Sequence, residues 1–162
     1  MSDGDGKQKE GVKVIARNRR AGHDYFLEKS YEAGLVLHGA EIKSIRANRI
    51  NLQEGFVQER DGELWLVGVH ISPYEQAGVY GYVDPLRPRK LLLHKKEIAQ
   101  IIGKIRERGY TVVPTSVILK RGRAKIEIAL AKGKRQYDKR ADLAKRDSDR
   151  EIRQALKERD RE

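Results

Sequence analysis

Apolar positions alternate from Val12 onward. Val12, Val14 and Ala16 interleave with Lys13, Ile15 and Arg17, which predicts a first strand. The polar run 18–23 then predicts a turn. Residues 25–37 carry aromatic and aliphatic side chains broken by Glu28, Lys29, Glu32 and Gly34, and predict a second strand. Residues 40–46 predict a short helix, with Ile42 and Ile45 on one face and Lys43 and Arg46 on the other. Residues 56–60 and 63–70 flank Asp61-Gly62, a pair suited to the positive backbone angles of a tight hairpin. Residues 71–89 hold three of the four prolines and read as a long loop. Leu91, Leu92 and Leu93 predict a short buried strand. Ile98, Ile101, Ile102 and Ile105 then form one helical stripe, and Gly109 stands where a helix C-terminal glycine belongs. Residues 111–120 and 124–131 predict two closing strands joined at Arg121-Gly122.

The sum is six or seven short strands and two helices, joined mostly by hairpins. That is the pattern of a mainly β, OB-like closed antiparallel barrel with two or three short helices. The expected boundaries are a flexible start over residues 1–11, the barrel over 12–132, and a basic tail over 133–162.

Charge changes the picture from a generic barrel to one with a polyanionic partner. The net charge is +11 with a pI near 9.9, and charged residues make up 36% of the 162 positions. The chain has no cysteine, which excludes disulfides and thiolate metal sites. No apolar run approaches the roughly 20 residues of a membrane span, and the first ten residues lack the apolar stretch of a signal peptide. These features lead to the expectation of a cytoplasmic protein. Residues 132–162 hold 12 Lys+Arg against 8 Asp+Glu, a net of +4, with few large apolar side chains. Such a segment buries too little to offset the entropy of ordering. It nevertheless has acid-before-base pairs at helical spacing in Asp142–Arg146 and Asp149–Arg153. Two readings stand: a solvated terminus, or a tail that becomes helical on RNA.

Catalytic signals are weak. His23, His38, His70 and His94 are the only histidines, and none pairs with another at metal-ligand spacing, so no metal or cofactor is expected. His23-Asp24 has the makings of a base and its orienting acid, as in a ribonuclease, but a lone histidine beside an acid is far more often structural or RNA-contacting. Binding signals are stronger. Arg17, Asn18, Arg19, Arg20 and His23 make a basic turn followed by Tyr25. Lys43 and Arg46 form a second basic group. Arg87, Arg89, Lys90, His94, Lys95 and Lys96 form a third. Lys132, Lys134, Arg135, Lys139 and Arg140, with Tyr137 among them, form a fourth. Lysine and arginine suit phosphates, and the rings suit stacking on exposed bases.

Five stretches, in order, carry a resemblance: NRRAGHDYFLE, YEAGLVLHGAEIKSIRA, DGELWLVGVHISPYE, RKLLLHKKEI and AKGKRQYDKR. They look like the SsrA-binding protein family, also called small protein B. The resemblance runs from about Val12 to Arg140 and continues more loosely through the tail. It implies an OB-like barrel, not an enzyme, that binds the tRNA-like domain of transfer-messenger RNA and delivers it to stalled ribosomes. It further implies a tail that enters the empty messenger channel near the decoding centre and turns helical there. The implied partners are transfer-messenger RNA, the small ribosomal subunit and, through the RNA, elongation factor Tu with GTP, and the protein itself is expected to be a monomer. On the same basis Asn18, Arg19, Arg20, His23, Tyr25 and Glu32 match the family's RNA-facing motif, joined by Lys90, His94 and Lys95. Gly133, Lys134, Tyr137, Asp138, Lys139 and Arg140 match its tail motif. Gly22 departs from the family, which often has arginine there. The alternative is a general RNA-binding or ribosomal protein of OB type.

Overall fold

The structure is a computed structural model that describes residues 11–74 and 82–134. In chain order its elements are β1 (Val12–Arg17), α1 (Arg19–Asp24), β2 (Tyr25–Leu35), α2 (Gly39–Arg46), β3 (Ile50–Asn51), β4 (Phe56–Arg60), β5 (Glu63–Val67), β6 (His70–Ile71), β7 (Arg89–Leu92), α3 (Lys95–Arg106), β8 (Tyr110–Lys120) and β9 (Arg123–Gly133). Seven strands form one antiparallel sheet in the order β1-β8-β9-β2-β7-β5-β4, and β3 and β6 pair separately. Both sharp hairpins form where the sequence places them. Asp61 and Gly62 have φ of 52° and 78°, and Arg121 and Gly122 repeat these values, as a two-residue turn requires.

Three ladders carry a bulge: β1 between Val14 and Ala16, β2 between Leu27 and Ser30, and β8 between Pro114 and Ser116. Each extra residue bends its strand and deepens the right-handed twist, so the sheet coils around α3. The enclosed core includes Ile45, Leu64, Leu66, Leu91, Ile101, Ile126 and Ile128, all at most 2% exposed. A smaller core of Ala21, Val113 and Ala131, with Tyr25 against it, lies under α1.

The coil does not close into the expected barrel. The ladder ends at β1 and β4, and among the described residues no hydrogen-bonded pairing joins a strand to close it. β4 packs beside the first half of β8, where β1 no longer reaches. That edge is capped instead of paired. Pro114 has no N–H to offer. Its carbonyl accepts from the Asn18 side-chain amide at 2.9 Å, and the Thr115 carbonyl accepts from the Asn18 backbone N–H at 2.7 Å. Gly55 is required at this approach, because a Cβ there would sit 2.6 Å from Val69 and 2.9 Å from Pro114.

Residues 18–23, expected as a turn, lie mostly within the short helix α1. Asn18 caps it by accepting the Ala21 N–H at 3.3 Å. The predicted α2 and α3 are present. α3 ends on Glu107, so Gly109, with φ of 89°, makes the following turn into β8 and is not the helix cap. Leu91 is buried as expected, but Leu92 on the same strand is 52% exposed. β9 continues through Gly133, which pairs with Tyr25, so the sheet reaches one residue beyond the expected boundary at 132. The expected flexible start lies outside the described residues except for Gly11, whose carbonyl accepts from Arg121. The tail from Arg135 lies outside them entirely.

Candidate nucleic-acid interface

The four basic groups read from the sequence resolve into two ends of the sheet and an interior knot. The first end is built on α1. Arg17, Arg19, Arg20 and His23 are exposed, and Tyr25 is half-buried at the start of β2. Arg20 is held by Asp24 at 3.1 Å and by Glu54 at 3.3 Å, so part of its charge is answered within the protein. His23 Nδ1 lies 3.1 Å from Asp24. That contact, with Arg20 beside it, holds the Asp24 carboxyl below its ordinary range. Lys134 reaches back to the Gly22 carbonyl at 3.1 Å, joining the root of the tail to α1. Arg19, Arg20, His23, Lys132, Gly133 and Lys134 therefore belong to one end. Arg135, Tyr137, Asp138, Lys139 and Arg140 lie outside the described residues.

Asn18 does not belong to that surface. It is only 8% exposed, and its amide is spent on the carbonyls of Pro114 and, at 3.3 Å, Leu52. Its expected RNA contact is replaced by a structural one, because a side chain with three partners inside the protein has nothing left to present.

Glu32 lies on β2 seven residues from Tyr25, about 23 Å along the strand at the usual rise. It lines an open cleft of about 390 Å3 with Gly34, Leu92, His94, Lys120 and Lys125. Lys120 Nζ stands 3.7 Å from the Glu32 carboxylate. His94 caps the start of α3, its backbone N–H donating to Glu97 at 3.3 Å, and the residue is exposed. Lys95 is exposed beside it, and Lys90 on β7 pairs with Glu63 at 3.0 Å. Arg46 joins this end by donating to the Gly122 carbonyl at 3.2 Å, and Lys43 lies 5.2 Å over the Tyr74 ring. Sequence reading missed Lys120, Lys125 and the exposed Leu92. Alternation along β7 was the available signal, since burying Leu91 turns Leu92 outward.

Arg87 and Arg89, read as part of the third basic group, face inward. Arg89 is 1% exposed and Glu41 3%. Arg89 Nε donates to Glu41 at 2.7 Å, and its other nitrogens donate to the carbonyls of Val69 at 2.6 Å and Pro85 at 3.0 Å. Arg87 donates to the other Glu41 oxygen. Burial pushes the Glu41 carboxyl up, but the His38 N–H, Arg87 and Arg89 together outweigh it and hold it below the ordinary value. Burial likewise lowers the Arg89 pKa despite Glu41. This knot ties α2 to β7 and is unavailable to a ligand.

Among the described residues no group of three acidic or imidazole side chains is placed to hold a metal ion, and no helix is long and apolar enough to cross a membrane. What the two ends offer is cations, rings and carboxylate acceptors such as Glu32, the equipment for binding nucleic acid.

Comparison with known proteins decides the family. The model of the SmpB protein family matches residues 15–158. The chain belongs to the SmpB family. It is 56% identical to the SsrA-binding protein of Roseiflexus sp. (strain RS-1) over 149 residues, covering 92% of this chain and 94% of that one. It is 55% identical to the SsrA-binding protein of Halothermothrix orenii over 152 residues, covering 94% and 97%. A solved chain described under "tmRNA-SmpB: a journey to the center of the bacterial ribosome" superposes with a TM-score of 0.63 at 46% identity, covering 76% of this chain and 85% of that one. SmpB is a family of RNA-binding proteins and not of enzymes, which disposes of the ribonuclease reading of His23 and Asp24.

Proposed function

We propose that this protein binds the tRNA-like domain of transfer-messenger RNA and brings it to stalled ribosomes for trans-translation. The observation that carries the reading is the family match along 15–158, with relatives more than half identical that are named for binding SsrA RNA. A ribosomal complex of transfer-messenger RNA and SmpB supplies the setting.

The geometry supports a division of labour. The tail departs from Gly133 beside α1, so Arg17, Arg19, Arg20, His23, Tyr25, Lys132 and Lys134 face whatever the tail faces, which we assign to ribosomal RNA. The opposite end, with Glu32, Lys90, His94, Lys95, Lys43 and Arg46, takes the tRNA-like domain. There Glu32 accepts hydrogen bonds from amino or ribose donors while the lysines meet phosphates. Arg135, Tyr137, Asp138, Lys139 and Arg140 belong to the tail that occupies the empty messenger channel, becoming helical as it does so. Elongation factor Tu with GTP joins through the RNA. The protein acts as a cytoplasmic monomer.

The test is a titration with the tRNA-like domain at near-physiological salt, with alanine tRNA as competitor. A preference of about ten-fold, worth about 1.4 kcal/mol, is expected. Equal affinity for both RNAs would reduce the protein to a general RNA-binding module. Ending the chain after Lys134 should spare this binding and abolish peptide tagging on stalled ribosomes. Undiminished tagging by the shortened protein would remove the tail's proposed role.

A further inference from the structure

On the face of the sheet opposite α1, at the same end, three neighbouring strands bring Phe26, Lys132 and Tyr110 into one cross-strand row. Phe26 pairs with Lys132, and Lys132 pairs with Tyr110. The β2 bulge makes this row continuous with the face of the sheet that packs against α3. It adds one residue between Leu27 and Ser30, so Phe26 and Tyr31, five positions apart, share one face. Beyond Tyr31 that face is covered by α3, but at Phe26 it emerges from cover. Phe26 is 46% exposed.

The cations around the row are arranged over the rings. Lys134 Nζ lies 5.2 Å over Phe26. Lys132 and Lys104 lie 4.8 Å and 5.0 Å from the Tyr110 centroid. Glu107 answers Lys104 at 3.4 Å, and Glu28 accepts the Tyr110 hydroxyl at 3.2 Å. Among the described residues no carboxylate forms an ion pair with Lys132 or Lys134. The row thus presents a half-exposed ring, a second ring and two cations that pair with no carboxylate among the described residues. Ammonium groups resting on rings hold places that a base would take, and they can swing to the adjoining phosphates.

We infer that the Phe26–Lys132–Tyr110 row is a stacking platform for unpaired nucleotides, a second RNA contact on the reverse of the sheet from α1. Phe26 stacks on a base, while Lys132 and Lys134 meet the flanking phosphates. A strand of RNA at the tail root then contacts the sheet on both faces, α1 on one side and this row on the other. The inference rests on the family's RNA binding but not on which RNA end takes the tRNA-like domain.

The experiment uses the full chain and two probes: a short single-stranded oligoadenylate, and its abasic counterpart with the same ribose-phosphate backbone. Wild type should bind the base-bearing strand at least about five-fold more tightly, the lower end of what one stacked base contributes. Phe26→Leu keeps apolar bulk and removes the π-face, so it should erase that preference, and Phe26→Trp should restore it. Lys132→Gln should weaken both probes and reduce the salt slope by about 0.7, one phosphate contact on a single strand. Urea unfolding checks that each variant is folded. Equal binding of the two probes by wild type, or an undiminished preference in folded Phe26→Leu, overturns the platform. Titrating the tRNA-like domain separates the two proposals. Phe26→Leu should bind it like wild type, and an equal loss there would instead assign the row to the tRNA-like domain. Failure of wild type to bind that domain, with the base preference intact, would sink the functional assignment and leave the platform standing.

Discussion

Replacing Glu41 by glutamine tests the buried knot most directly. The carboxylate accepts from the His38 N–H at 2.9 Å, from Arg89 at 2.7 Å and from Arg87. Glutamine keeps the shape and one acceptor oxygen. However, it sets an NH2 against a guanidinium and removes the charge that compensates Arg89, itself 1% exposed. Leaving one member of a buried pair without its partner costs about 3–5 kcal/mol. Arg87, with 27% of its side chain exposed, can turn partly to water, which favours the lower figure of about 3 kcal/mol. Against a domain stability of about 5–15 kcal/mol this is a large loss. It corresponds to a melting temperature lower by about 10–15 °C for a domain of this size. The assay is urea unfolding at neutral pH with the slope compared between variants, repeated in acid.

The sign of the pH effect follows from the depressed folded-state pKa. Glu41's contribution is fully present above its ordinary value of 4.5 and is lost as pH falls through the lower folded value. The gap between wild type and Glu41→Gln should therefore narrow in acid. Adding Arg89→Met to Glu41→Gln should recover part of the loss, because the uncompensated charge goes with it. A Glu41→Gln loss below about 1 kcal/mol, the worth of a surface pair, or a gap that stays constant into acid, would refute the reasoning.

Three further outcomes are expected. Asn18→Ala should cost about 2–3 kcal/mol in urea unfolding, since it strands the Pro114 and Leu52 carbonyls and uncaps α1, while leaving RNA affinity of the folded protein unchanged. Gly68→Ala should lower stability by more than about 1 kcal/mol, because φ is +75° and a Cβ would fall 2.4 Å from the Glu54 carbonyl oxygen. Gly22→Ala should raise stability by about 0.4–1 kcal/mol, read as a small rise in melting temperature, since a Cβ there meets nothing within 4 Å and the backbone is already helical.

Local rules made much of the fold readable. Asp61-Gly62 and Arg121-Gly122 announce their turns because few residues accept positive φ, and α3 announces itself by its isoleucine stripe. Long-range partners were not readable. α1 passed for a turn because six residues with a central glycine bury only Ala21, and its support comes from Asn18 and Lys134, which act across the fold. Arg87 and Arg89 passed for surface cations because their counter-charge is Glu41, nearly fifty residues earlier. Alternation did hold the clue, since burying Leu91 obliges Arg89 to point the same way. The open coil passed for a closed barrel because strand count says nothing about which edges hydrogen-bond, and Asn18 takes the edge carbonyls beside Pro114. The candidate site was legible as a set of residue types, but its division between two ends follows from the register of β2.

The extra residue in β2 acts as a phase shift in a two-sided code. Upstream of it, odd positions such as Tyr25 serve the small core under α1; downstream, odd positions such as Tyr31 serve the large core under α3. Deleting one residue at 28–29 would bring both stretches into one frame. The large core would then demand that Tyr25 change sides, carrying α1 and the attachment of Lys134 with it. β2 is therefore intolerant of length change at a position whose side chains are themselves exposed, and natural variation at 28 and 29 should consist of substitutions and not of insertions or deletions.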